Sequence, residues 1–232
     1  MFWCVKGMLS GQSRWMRIVG WFSGSACVGA VVLGCLKGID QKIMVHDSVA
    51  SVCVKPVGQV DAKVVDNLAW DLAAALGIPC ATSSAIPIPE RSLDPTRHQY
   101  LATEVMAAGR PSAPTEVLLL VTDQDLFVPR LNFVFGVGDP RTRVAIISLL
   151  RLRQETYGLP SDQKLFRRRT LTEAVHELGH VFGLGHCDNR NCVMTFSNNL
   201  DDTDRKGPDF CPSCRSALDK ALSAFARRGG AG

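Results

Sequence analysis

The sequence predicts an α/β fold, a twisted mixed sheet with helices packed on it. Three observations carry that reading. Short β-branched or apolar runs alternate with stretches of helical periodicity. The most apolar run, Glu116–Val128, is nearly continuous, as a strand buried on both faces requires. With 46% apolar and 21% charged residues, the 232-residue chain has the composition of a globular protein with a real core.

"VASVCVKPVG" (Val49–Gly58) is β-branched and ends at Pro56 and Gly58, which predicts a strand. In "DAKVVDNLAWDLAAALG" (Asp61–Gly77), Val64, Val65, Leu68, Leu72 and Leu76 recur at helical spacing, and Gly77 closes the helix. Ile78–Ile88 predicts a second strand, interrupted by prolines. Pro95–Gly109 predicts a helix, with Pro95 suited to its first turn. Glu116–Val128 is the expected central strand. Leu131–Gly138 is a short strand with glycines, suited to an edge, and Arg143–Leu152 is another buried strand. Cys53 and Cys80 sit in apolar runs and are expected as small core residues.

Residues 1–41 stand apart. Met16–Gly38 is apolar for about twenty residues, a length that fits a signal peptide or membrane anchor. "VLGC" (Val32–Cys35) resembles a lipoprotein processing box, with Leu33 bulkier than usual. The alternative is an overlong start, with translation beginning at Met44. Residues 42–232 are the expected globular part, divided into a sheet subdomain (42–183) and a C-terminal subdomain (184–232). Membrane association is expected only through residues 15–36.

The net charge of +4 arises mainly in this leader. Lys6, Arg14, Arg17 and Lys37 against Asp40 leave 22 basic and 21 acidic residues in the rest. A near-neutral body gives no electrostatic footprint for nucleic acid. The basic run "FRRRT" (Phe166–Thr170) reads as a solvated loop or helix face.

Chemistry concentrates in "HELGHVFGLGHCDNRNCVM" (His176–Met194), which holds three of five histidines and two of nine cysteines. At about 100° per residue, His176 and His180 project from one helix face, one turn apart. Leu171, Val175, Leu178 and Phe182 form the helix's apolar stripe. Thr170 and Glu173 have capping-box spacing, although Arg167–Arg169 point to an earlier start. Gly183 and Gly185 permit the helix to stop and reverse, which brings His186 back to complete a three-nitrogen site. Three neutral nitrogens around zinc leave one position open, as catalysis needs. Glu177, about 100° around the helix from His176, is poorly placed to bind the ion and well placed to reach a water on it. A lone histidine here would read as a hydrogen-bonded core side chain; the full HExxHxxGxxH spacing argues against that.

HExxHxxGxxH followed by a methionine resembles the metzincin pattern. In that light Met194, otherwise a core gap-filler, looks like the methionine beneath the zinc. His186–Cys187, Cys192, Met194 and "CPSC" (Cys211–Cys214) resemble the archaemetzincin family, as do Asp123–Gly136, Ile147–Leu152 and Val193–Leu200. The likeness spans roughly Ser48 to Ala226. The interval from Met194 to Cys211 is one residue shorter than in the family pattern. The resemblance implies a metzincin-like zincin, whose active-site helix is followed by a small subdomain with a zinc-clamped Met-turn. It implies two zinc ions: a catalytic one on His176, His180 and His186, and a structural one on Cys187, Cys192, Cys211 and Cys214. Read from the residues alone, the four cysteines fit a closed thiolate site, two disulfides or a redox CxxC. The thiolate site favours the cytoplasm; export through the leader would favour disulfides.

The function these readings predict is a zinc-dependent metallopeptidase, monomeric, acting on a peptide or protein through a zinc-bound water activated by Glu177. "NFVFG" (Asn132–Gly136) is the candidate edge for pairing with substrate, against plain core packing of Phe133 and Phe135. A non-catalytic zinc protein that binds a peptide or partner needs the same histidines but not Glu177. A zinc-ribbon nucleic-acid binder is opposed by the charge balance.

Overall fold

The computed structural model describes residues 49–229, so the readings for residues 1–41 lie outside the described residues. The chain begins with strand β1 (Ser51–Pro56), helix α1 (Ala62–Leu76) and strand β2 (Cys80–Thr82). Strands β3 (Leu93–Asp94) and β4 (Gln99–Leu101) and the short helix α2 (Ala102–Met106) follow. Next come β5 (Glu116–Thr122), β6 (Leu126–Phe127), β7 (Gly136–Asp139) and β8 (Val144–Ser148). Three helices complete the chain: α3 (Gln163–Val181), α4 (Leu200–Lys206) and α5 (Pro212–Gly229).

The main sheet has the order β2-β1-β5-β8-β7. Its first four strands are parallel, and β7 runs antiparallel to β8 along one edge. The central strand β5 feeds both faces. Val117, Leu119 and Val121 enter a core shared with α1 and α3, while Leu118 and Leu120 enter a second core with α2 and β6. That alternation is the period-2 geometry of a strand. Each of these fully buried side chains contributes about 1.5–3 kcal/mol of transfer free energy.

Five expected elements are shorter than the apolar pattern suggested: Arg143–Leu152 is a strand only over Val144–Ser148, and Leu131–Gly138, with the candidate edge Asn132–Gly136, joins the main sheet only from Gly136. The run Ile78–Ile88 is a strand only over Cys80–Thr82, and afterwards Ile86 bridges Val57. The apolar run ends as a strand at Thr122, and the chain re-forms as β6 in a separate sheet of order β3-β4-β6. The helix expected over Pro95–Gly109 is confined to Ala102–Met106. The Asp94 carboxylate accepts the amides of Thr96 and Arg97 at 3.0 and 3.1 Å, an Asx turn that competes with helix. Arg97 and Gln99 then reach forward to the carbonyls of Leu131 and Asn132.

α3 starts at Gln163, seven residues before Thr170. Asp162 is its N-cap and accepts the Leu165 amide at 2.9 Å. Thr170 and Glu173 are therefore mid-helix and form no capping box. The basic run preceding them is not a solvated face throughout. Arg169 is buried and makes a bidentate pair with Asp204 at 2.7 and 2.6 Å, joining α3 to α4. Cys53 and Cys80 are half-buried rather than core residues. No helix among the described residues is long and apolar enough to cross a membrane.

Candidate active site

α3 places His176 and His180 one turn apart, with Nε2 atoms 3.1 Å from each other. The helix ends at Val181, and Gly183 takes φ +91°, a conformation that L side chains avoid. Leu184 N–H then donates to Gly179 O at 2.9 Å, closing the reversal. Gly185 does not share the left-handed conformation. His186 returns to ring-centroid distances of 5.5 Å from His176 and 4.8 Å from His180. One ligand atom from each ring lies within 4.8 Å of the others.

The outer nitrogens of two rings are committed to main-chain carbonyls. His176 Nδ1 lies 2.7 Å from Val193 O, and His180 Nδ1 lies 2.9 Å from Leu184 O. Those bonds place the proton on Nδ1 and leave Nε2 free as a ligand. Tetrahedral zinc with bonds of ~2.0–2.1 Å separates its nitrogens by about 3.3 Å, so the His176–His180 spacing fits one ion. Burial and then the Lys206 ammonium hold His176 down to about 3. Burial, then His180 and Lys206, also lower His186. Both rings are thus kept in the neutral form that metal ligation needs.

Glu177 is buried against edge strand β7. A Cβ on Gly136 would lie 2.6 Å from Glu177 Cγ, and one on Gly138 would collide with the Glu177 carbonyl. Only glycine at these two positions lets α3 lie so close to the edge. Burial, followed by the adjacent Glu173, raises the Glu177 carboxyl well above the usual range; Lys206 and the Gly138 amide act against that shift.

The structure adds residues that the sequence did not flag. Lys206, at the end of α4, is buried with Nζ 3.1 Å from Thr195 O and 3.6 Å from Glu173 Oε1. Its 3.3 Å approach to His176 Nδ1 sets donor against donor once that nitrogen carries the proton. Glu173 also accepts the Thr203 hydroxyl at 2.8 Å. Phe196, half-exposed, meets the His186 ring edge-on at 5.1 Å. Lys206, Glu173, Phe196, the three histidines and Phe133 line a cleft of about 460 Å³.

Beneath α3, Met194 is fully buried with its sulfur against Gly179, where a Cβ would collide with it. Cys187, Cys192, Cys211 and Cys214 bring their sulfurs within 4.8 Å of one another, and the Cys187–Cys211 pair is 3.9 Å apart. Zinc–sulfur bonds of ~2.3 Å imply an edge of about 3.8 Å in a tetrahedron, which this pair matches. All six described cysteines are free. The Ser213 hydroxyl and the Cys214 amide bring the Cys211 thiol down to about 6, while burial raises Cys192. The shorter Met194–Cys211 interval leaves Cys211 within the cluster.

The chain is similar to known proteins along most of its length. The profile of peptidase family M54 matches residues 115–220. The archaemetzincin of Pyrococcus furiosus is 39% identical over 186 residues, covering 77% of this chain and 97% of that protein. The crystal structure of archaemetzincin from Methanopyrus kandleri superposes with TM-score 0.67 at 34% identity, covering 78% of this chain and 99% of that one. A zinc-dependent peptidase from Methanocorpusculum labreanum gives TM-score 0.66 at 33% identity, covering 72% and 99% respectively. On these likenesses the chain belongs to the archaemetzincin family, peptidase family M54.

Proposed function

We propose that this metallopeptidase hydrolyses peptide bonds with His176, His180 and His186 holding a catalytic zinc and Glu177 acting as general base and acid. The observation that carries the reading is the convergence of three imidazoles beside a carboxylate on an open cleft. When bound, zinc supplies a Lewis acid that acidifies water and polarises the scissile carbonyl. Glu177 takes the proton as the water oxygen bonds to the carbonyl carbon, then gives it to the amine nitrogen as the C–N bond breaks. The buried site around Glu177 keeps its carboxyl basic enough for that transfer. The peptide lies along β7, the antiparallel edge, pairing its main chain with that strand. Cys187, Cys192, Cys211 and Cys214 hold a second, structural zinc that fixes the turn carrying Met194.

The test is Glu177→Gln. The variant is expected to keep its metal content and lose cleavage of a peptide library by at least about a hundredfold. Undiminished turnover removes Glu177 from the chemistry. Wild-type protein that holds zinc yet cleaves nothing across a broad library supports a binding role instead. Metal analysis should give two zinc ions per chain, and Cys211→Ser should lose one; a variant that keeps both refutes the four-thiolate site.

A further inference from the structure

Strand β7 pairs with β8 on one side and ends the sheet on the other. Its successive residues face opposite sides of the sheet. Gly136 and Gly138 lie against α3 and Glu177, while Val137 packs into the second core on the far face. On that far face lies a recess of about 820 Å³, bounded by α2, the segment after it and the β7–β8 turn. Val137 and Gly138 line both this recess and the candidate catalytic cleft. One strand edge therefore serves two cavities on opposite faces.

The recess is basic. Arg110, Arg141 and Arg143 line it, with Asp139 as the carboxylate among them. Arg143, at φ +60°, is locked in place by donating to the carbonyls of Ala113 and Pro114. Arg141 is 90% exposed and touches Asp139 at 3.3 Å. Arg110 is exposed, and among the described residues no carboxylate lies within ion-pair reach of it. Arg110 is thus free to meet an incoming anion, and the exposed Arg141, paired only with Asp139, lines the same recess.

We propose that this recess is a specificity subsite for acidic side chains of the substrate. The proposal rests on the peptidase reading above. A peptide added to β7 must alternate its side chains between the two faces. One set faces α3 and the histidines; the other enters the arginine-lined recess. Gly136 adjoins the Glu177 side chain, whereas the recess flanks the Asp139 end of β7. Acid is therefore favoured on one side of the scissile bond only, and at every second position there.

The experiment uses the zinc-loaded full chain and a neutral peptide background. Asp, Ala or Lys is placed singly at each of the four positions either side of the cleaved bond. The expected kcat/KM ratio of Asp to Lys is about two- to fivefold per charge pair at alternate positions on one side. The preference should shrink in high salt, and the Arg110→Glu/Arg141→Glu double variant should invert it. A ratio that is flat along the peptide, or unmoved in the double variant, overturns the proposal. Fluorescence anisotropy with Glu177→Gln and the same Asp and Lys peptides separates the two readings. Selective binding without cleavage by the wild type sinks the peptidase and keeps the recess. Cleavage without selectivity sinks the recess alone.

Discussion

Gly136→Ala tests whether the closeness of α3 to the edge strand sets the position of Glu177. The added Cβ would lie 2.6 Å from Glu177 Cγ, 2.9 Å from its Oε1 and 2.8 Å from the carbonyl oxygen of Ile146. Ordinary contact begins near 3.4 Å, so about 0.8 Å must be found. The Ile146 carbonyl belongs to β8, held between β5 and β7, and yields little. The Glu177 side chain must therefore give way. Gly136 has no positive φ, so the effect is steric alone. Misplacing a catalytic group by about 1 Å can cost ~10²-fold in rate, so kcat/KM should fall about 10–100-fold. Overpacking should also cost about 1–3 kcal/mol of stability. Zinc content should not change, because the clash spares the ligand nitrogens. Gly158→Ala is the control: φ is +75° with no atom within 4 Å of the new Cβ, so stability falls by about 1–2 kcal/mol and kcat/KM stays level. Cleavage kinetics, metal analysis and thermal melts decide it. A Gly136→Ala enzyme with full activity and full zinc would refute the steric argument.

Two further outcomes follow from the buried groups. In metal-free protein, His176 stays neutral down to about 3, whereas the unfolded chain takes up that proton near 6.5. Stability should therefore be level above pH 6.5 and fall as pH drops toward 3, by about 2 kcal/mol between pH 6.5 and 4.5; chemical denaturation that gives equal stability at those two pH values would contradict the burial of a neutral ring. Lys206→Met leaves the Glu173 carboxylate buried without its cation, at a cost of about 3–5 kcal/mol, whereas Glu173→Gln/Lys206→Met should recover most of it; unfolding curves in which the double variant is no more stable than Lys206→Met would show that the pair is not coupled.

The candidate site was legible in the sequence where its geometry is local. Helical spacing fixes His176 against His180, and Gly183 forecasts the reversal that returns His186. Cys187 and Cys192 flank the same turn in sequence, and Cys211 and Cys214 follow as a CxxC pair after α4. What escaped depends on partners far along the chain. Lys206 matters because it meets Glu173 and Thr195, and Gly136 because α3 lies on it; neither relation has a sequence signature. The expected helix at Pro95 failed partly for the same reason, beside the local Asx turn at Asp94. Arg97 and Gln99 look like neutral helix residues until Leu131 and Asn132 arrive beside them. The main-sheet strands near β5 were the easiest to read, because burial on both faces leaves a continuous apolar run.

The two candidate metal sites are joined by one short strap of chain. Cys187 follows His186 directly, and its amide donates to Met194 O at 3.0 Å. Val193 N–H donates to Asp209 O at 2.8 Å, while Val193 O receives the proton of His176 Nδ1 at 2.7 Å. The Cys211 amide reaches Cys192 Sγ at 3.3 Å. Each end of the strap thus touches a cysteine of one site and orients an imidazole of the other. Nine residues cannot be held in such a loop by a hydrophobic core of their own, since only Cys192, Val193 and Met194 within it are fully buried. A four-thiolate clamp would supply the missing constraint at a point where packing cannot. A zinc held there would act on catalysis without touching substrate, by fixing the carbonyl that sets the tautomer of His176 and the backbone that carries His186.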